Sequence, residues 1–238
     1  MRHKIVAIQQ PEHLPWIGFF DKMQKCDRYV YLDNVQFKKR YFENRNRIRT
    51  KESSEFITIP VVTKGLYRQK ISEVMIDNSR SWQRKYLGRV RHSYARAKHF
   101  DYYFPKLEDI IQRRFAKLID LNLALIDWIR KELQIVTPTI MASQIREYKE
   151  KGSDLILAIC KDLNAKIYIS GPDGRNYLML NAFRKEKIEV VYHDYKHPVY
   201  QQMYHPFISH MSVIDALFCE GKLNIKRLVG NSYAGFNN

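Results

Sequence analysis

Cysteine is scarce in this chain. Cys26, Cys160 and Cys219 are the three among 238 residues. They lie far apart, their number is odd, and no Cys-x-x-Cys or Cys/His zinc spacing occurs, so no disulfide framework is indicated. Buried, apolar use of the thiols and a reducing, cytoplasmic setting are expected. Long apolar runs are also missing. No stretch approaches the ~18 residues of a membrane-spanning helix, and the opening Ile5-Val6-Ala7-Ile8 is too short for a signal-peptide core. Repeats and low-complexity linkers are absent, so residues 1–238 read as one domain. Acidic residues are the third shortage. Forty-one Lys and Arg face twenty-five Asp and Glu, a net charge of +16 and a pI near 9.7. Such a field favours anionic partners: nucleic acid, acidic lipid or phosphorylated small molecules. Charge by itself does not choose among them. Hydrophobic residues at 45% and charged residues at 28% suit a folded domain with a core of its own.

The hydrophobic pattern divides the chain. Residues 4–8 and 28–32 read as strands, and Trp16, Phe19, Phe20 and Met23 share one face of an intervening helix. This opening suits a right-handed βαβ unit. Residues 33–51 are polar and basic. Residues 56–62 alternate like an edge strand ending at Pro60, and 69–76 form a further candidate strand. The middle is helical over 81–98, then along Leu107, Ile110, Ile111, Phe115 and Leu118, then along Leu121, Leu125, Ile126, Ile129 and Leu133. A helical subdomain around 81–135 is the expectation. Ser153 caps a helix through Leu163, residues 166–169 and 188–192 read as strands around a helix over 176–185, and Ser212 caps a short helix, Val213–Phe218. Strands alternating with helices predict an α/β fold: a Rossmann-like, mostly parallel sheet flanked by helices.

Four segments carry candidate chemistry. The run Gln9-Gln10-Pro11-Glu12-His13-Leu14-Pro15-Trp16 sits between the first strand and a helix N-terminus, where ligands of open α/β sheets bind and free N–H groups favour anions. It supplies amides, a carboxylate, an imidazole that titrates near neutrality and a stacking indole; a Pro-rich connection is the bland alternative. Asp33 to Arg49 interleaves bases and aromatics (Asp33, Gln36, Lys38, Asn44, Arg45, Asn46, Arg47), a pattern that suits phosphates or stacked bases or a solvated face. The loop Ser170-Gly171-Pro172-Asp173-Gly174-Arg175-Asn176-Tyr177 permits close backbone approach but carries neither a Walker nor a dinucleotide fingerprint. His193, Asp194 and His197 lack convincing metal spacing, and no metal site is expected. Asp215 reads equally as a structural or a catalytic acid. No Gly-x-Ser-x-Gly elbow occurs.

Taken together, the blocks carry a resemblance. Gln9-Gln10-Pro11-Glu12-His13-Leu14-Pro15-Trp16-Ile17-Gly18-Phe19-Phe20-Asp21-Lys22 resembles the opening of the WbqC-like family, Gln-Pro-x-Tyr-Leu-Pro-Trp-x-Gly. Asp33-Asn34-Val35-Gln36-Phe37 with Asn44-Arg45-Asn46-Arg47-Ile48 looks like its second block. The Ser170-Gly171 loop through Tyr177-Leu178 and Met211-Ser212-Val213-Ile214-Asp215 look like later, looser blocks. His13 departs from the usual Tyr. The family occurs in gene clusters for surface polysaccharides, so the resemblance implies an enzyme of O-antigen or lipopolysaccharide biosynthesis. The implied reaction is N-acylation of a nucleotide-linked amino sugar with an amino acid such as glycine. In that setting His13, Glu12 and Asp215 are the candidate catalytic residues. Gln9, Gln10, Trp16, Asp33, Gln36, Lys38, Asn44, Arg45, Asn46, Arg47, Ser170, Gly171 and Tyr177 are candidates for holding substrate or nucleotide. ATP with magnesium is the candidate activator, and aminoacyl-tRNA a candidate donor. The other readings are a nucleic-acid-binding protein and a noncatalytic scaffold of polysaccharide assembly.

Overall fold

The computed structural model describes residues 4–230. β1 (Ile5–Gln9), α1 (Ile17–Gln24) and β2 (Arg28–Tyr31) open the chain. β1 and β2 pair in parallel, Val6 opposite Arg28, as a crossover helix requires. The chain then leaves the sheet for an antiparallel hairpin, β3 (Arg45–Arg49) and β4 (Ser54–Thr58). Three helices follow: α2 (Trp82–Tyr94), α3 (Phe100–Gln112) and α4 (Leu118–Glu132). It returns through β5 (Thr139–Met141), α5 (Ala142–Ile145) and α6 (Gly152–Asp162). β6 (Ile167–Ser170), α7 (Leu180–Lys185) and β7 (Glu189–Tyr192) complete the sheet, and α8 (Val213–Leu228), interrupted at Gly221, packs last.

The sheet runs β5-β2-β1-β6-β7 with every pairing parallel. Counted in chain order its strands stand 3-2-1-4-5, the doubly wound, Rossmann-like arrangement. The order reverses between β1 and β6, so their carboxyl ends diverge into a crevice. Strand alternation divides the core in two. Ile5, Ala7, Tyr29, Tyr31 and Ile169 face one large cluster, which is continuous through α1, α2, α3, α4 and α8. Val6, Ile8, Val30, Leu32 and Tyr168 face a smaller one built on α6 and α7.

Several local expectations shift. The basic segment 33–51 contains a strand, β3, because Asn46 and Ile48 turn into the core while Arg45 and Arg47 stay half-exposed. The candidate strand 69–76 is a 3-10 turn, Ile71–Glu73, held between bridges at Lys70, Met75 and Ile76. The second middle helix ends at Gln112; Phe115 lies in the connection and Leu118 starts α4. Ser153 sits inside α6, where its hydroxyl accepts the Met179 N–H at 2.9 Å. Ser212 likewise makes no cap bond; its Oγ donates to the Leu14 carbonyl at 2.9 Å. β5, with three residues, is too short to leave a periodic signal.

Candidate functional site

The loop between β1 and α1 is held from all sides. The Asn46 amide donates to the carbonyls of His13 and Leu14, at 3.1 and 2.8 Å. The His13 N–H donates to the Phe42 carbonyl at 2.8 Å, and the Val213 N–H to that of Pro15 at 2.9 Å. The Asn122 amide bridges the carbonyls of Pro11 and Glu43, at 3.0 and 2.7 Å. Leu14 is fully buried at a φ of 41°, a left-handed conformation that costs a β-carbon about 1–2 kcal/mol. These contacts keep it there.

His13 belongs to this clamp. Its ring is fully buried; Nδ1 lies 3.1 Å from Asn122 Oδ1 and Nε2 2.8 Å from the Tyr86 hydroxyl. Because the Asn122 NH2 is spent on carbonyls, its Oδ1 must accept from His13 Nδ1–H, and Nε2 then accepts from Tyr86. Burial pushes the imidazole down to about 4, so it stays neutral. It does not reach the crevice, and its observed part is to position the loop.

The crevice at the switch point is a cleft of about 480 Å³, the size of a ligand pocket. One wall is the β1 loop with α1: Gln9, Gln10, Glu12, Trp16 and Lys22. Glu12 accepts from Gln9 Nε2 at 2.8 Å; burial raises its pKa, opposed by Gln9 and by the Lys22 charge. Lys22 is buried, donates to the Ile8 carbonyl at 3.3 Å, and is pushed down by burial to about 8. Trp16 is half-buried against the core cluster that holds Phe19, Phe20 and Met23. It precedes the helix and folds back over Gly18, where a β-carbon would come within 2.2 Å of the indole. Its ring neighbours are Tyr195, His197 and His210, with centroids at 5.4, 5.9 and 4.8 Å.

The opposite wall follows β6 and β7. Ser170, Gly171, Asp173, Gly174 and Tyr177 line it, with His193, Asp194 and Tyr195 beyond. Gly171 presents open backbone, whereas a β-carbon on Gly174 would meet Ser170 Oγ at 2.0 Å. Tyr177 is 47% exposed, a free stacking face. His193 Nε2 lies 2.5 Å from Asp21, which also pairs with Lys25 at 2.7 Å. Against a basic chain this lining is acidic. Glu12, Asp173 and Asp194 line it with Lys22 as the single Lys or Arg among the described lining residues. Behind the loop, the Glu43 carboxyl is 1% exposed with neither oxygen hydrogen-bonded. Burial pushes it up to about 7, and the Glu12 charge adds to the rise.

Of the other candidate residues, Asn46 reaches the cleft while clamping the loop. The rest of the second block does not line it. Asp33 is buried, accepting from the Ser143 N–H and hydroxyl at 3.0 and 2.5 Å, and so caps the first turn of α5. Asn44 donates to the Ile59 carbonyl at 2.9 Å, and Gln36 to that of Tyr67 at 2.8 Å. Arg45 stacks 4.0 Å above Phe56, and Lys38 stands 5.1 Å from the ring of Tyr41, a rim residue of the cleft. Arg47 reaches the His210 carbonyl at 3.4 Å. Asp215 is fully buried and accepts from Tyr94, Tyr200 and Gln202 at 2.8, 2.6 and 2.8 Å. It ties α8 to α2 and to the 200–202 segment, away from the cleft. Lys22, Tyr41, Asp173, Tyr195 and His210 also line the cleft, outside the candidate ligand-holding residues of the sequence. Of these, Asp173 falls in the 170–177 loop that the sequence singles out, and Tyr195 in the aromatic-rich stretch 192–200.

The family model described as the WbqC-like protein family matches residues 10–227, from the start of the β1 loop to the last turn of α8. A Mycobacterium tuberculosis (strain ATCC 25618 / H37Rv) protein, printed as "Uncharacterized protein Rv1507c", is 32% identical over 220 residues. That alignment covers 92% of this chain and 94% of the relative. No solved structure matches. With the match running across both walls of the cleft and the hairpin that braces it, the chain belongs to the WbqC-like protein family.

Proposed function

We propose that the protein is an enzyme that N-acylates a nucleotide-linked amino sugar, with an amino acid such as glycine, in the cytoplasmic assembly of a surface polysaccharide such as O-antigen. The observation that carries this reading is the acidic lining at the sheet's switch point, with Glu12 held above the ordinary carboxylate range by burial. Carboxylates attract the ammonium form of an amino sugar, and a carboxyl with a raised pKa is suited to take its proton. That proton passes from Glu12 through Lys22 to water, and the free amine then attacks the activated acyl carbon. A carbon–nitrogen bond forms, the activating group leaves with its electron pair, and the amine proton goes to Glu12. Lys22, brought near neutrality by burial, exchanges that proton onward. Trp16 and Tyr177 offer faces for sugar or base, and Gln9, Gln10, Ser170 and the open Gly171 backbone orient hydroxyls.

A free carboxylate needs activation. ATP with magnesium is the proposed activator; the metal would offset the phosphate charge, and Asp173 and Asp194 are the lining carboxylates that would hold it. Incubation with ATP, magnesium, glycine and a panel of nucleotide amino sugars, read by mass spectrometry, tests the reading. The expected result is a mass gain of one acyl group that Glu12→Gln suppresses. No gain with any amino acid or acyl donor overturns it.

A further inference from the structure

The excess positive charge lies elsewhere. α2 carries Arg84, Lys85, Arg89, Arg91 and His92 and no acidic residue. α1, α3, α4, α6 and α8 each carry Asp or Glu. All five basic side chains of α2 are exposed. Among the described residues Arg91 pairs with Glu108 at 3.7 Å, while no ion pair is found for Arg84, Lys85 or Arg89. Concentrating unpaired like charges on one helix costs energy by mutual repulsion, so a purely solvated face would gain from interspersed acids.

The shape around α2 is as specific as its charge. Between α2 and the β3–β4 hairpin runs a groove of about 360 Å³, lined by Ile57, Arg80, Trp82, Lys85 and Arg89 and free of carboxylates among its described lining. It shares Lys85 and Arg89 with a second groove that adds Lys51, His92 and Tyr204, though also Glu52 and Glu55. Beside them Phe56 is 36% exposed, lies under the Arg45 guanidinium, and receives Arg89 Nη1 on its carbonyl at 3.3 Å. On the crest, Gly88 leaves the backbone open, with nothing within 4 Å of a β-carbon. At 1.5 Å per residue the helix is about 20 Å long, enough to follow several successive phosphates of one strand.

We infer that the α2 face, with its flanking grooves, binds the phosphate backbone of an RNA strand. A linear polyanion fits grooves beside a row of cations with an aromatic edge. An anionic membrane fits less well, because α2 spends its apolar side chains, Trp82, Tyr86, Leu87, Val90 and Tyr94, on the core and has none left to insert. This inference does not rest on the acyl-transfer reading, since α2 contributes no residue to the cleft.

Fluorescence anisotropy with tRNA, single-stranded RNA and duplex DNA, at low and physiological salt, tests it on the full chain. The triple variant Arg84→Glu, Lys85→Glu, Arg89→Glu weakens RNA binding roughly 100-fold and lowers the slope of log affinity against log salt by about 2–3. Lys149→Glu, Lys151→Glu, Lys185→Glu makes the same change of net charge elsewhere and leaves affinity within about threefold. If the Glu variant unfolds, Arg84→Gln, Lys85→Gln, Arg89→Gln replaces it, with thermal melts as the check. RNA bound as well as or better than DNA supports the inference. Four results overturn it: no RNA binding at low salt, preference for DNA alone, equal loss in both triple variants, or binding confined to vesicles of phosphatidylglycerol.

Discussion

The cleft and the α2 face belong to one basic chain and have opposite electrostatics. The cleft walls collect Glu12, Asp173 and Asp194 around a single lysine; α2 collects Arg84, Lys85, Arg89, Arg91 and His92 with no acid. A net charge of +16 therefore describes neither. Composition constrains the average field, while a site is made by which charges the fold brings to one surface and which it buries.

The separation of the two surfaces is tested most directly at Glu12. Glu12→Gln is expected to lower the proposed acyl transfer by about 10²–10⁴, the range for losing a general base, while the α2 triple variant leaves transfer from a small-molecule donor unchanged. Turnover of both variants with one substrate pair checks this. Equal losses would mean that the two regions are not separate.

His13→Ala comes next, with an expected loss of about 3 kcal/mol in chemical denaturation, because it opens a cavity and leaves the Tyr86 hydroxyl and the Asn122 Oδ1 unpaired. The native imidazole also leaves a pH signature. Its folded pKa of about 4 lies below the ordinary 6.5, so the unfolded chain takes up the proton first. Its stability contribution is present above 6.5 and is lost as pH falls toward 4.

Glu43 works in the opposite sense. Its folded pKa, pushed up to about 7 from 4.5, means the native state keeps a proton that the unfolded chain releases. Stability therefore falls as pH rises from 4.5 through 7. Glu43→Gln removes that fall and is expected to stabilise the protein above neutrality by about 2 kcal/mol, read from denaturation midpoints at acidic and alkaline pH. The smallest effect is expected for Tyr177→Ala, a rise in KM of about tenfold at constant kcat, since stacking on an exposed face is worth about 1–1.5 kcal/mol.

Much of the scaffold was legible locally. β1, α1 and β2 follow from Ile5–Ile8, the Pro11 and Pro15 restrictions and the spacing of Phe19, Phe20 and Met23, and their order predicted the parallel unit that the sheet contains. Gln9, Gln10, Glu12, Trp16, Ser170, Gly171 and Tyr177 were legible as cleft residues because loops after parallel strands share one end of the sheet. Asp33, Asn44 and Arg45 were not legible as scaffold. Their spacing suits phosphate equally well, and only antiparallel pairing of β3 with β4 turned part of that segment into a brace. His13 and Asp215 misled for a related reason: a titratable side chain near a cleft is chemically identical to one that is locked in the core.

By itself the sequence determined the alternation of strands and helices, the β1 loop with its two prolines, and the scarcity of acidic side chains. These depend on neighbours within a few positions, where backbone preferences and periodicity act. Tertiary contacts decide that Glu12 shares one cleft with Lys22, Asp173 and Asp194, that His13 turns inward to Asn122 and Tyr86, and that the basic helix contributes nothing to that cleft. Those outcomes depend on contacts between residues as far apart as His13 and Asn122, and on burial, which changes a side chain's charge without changing its identity.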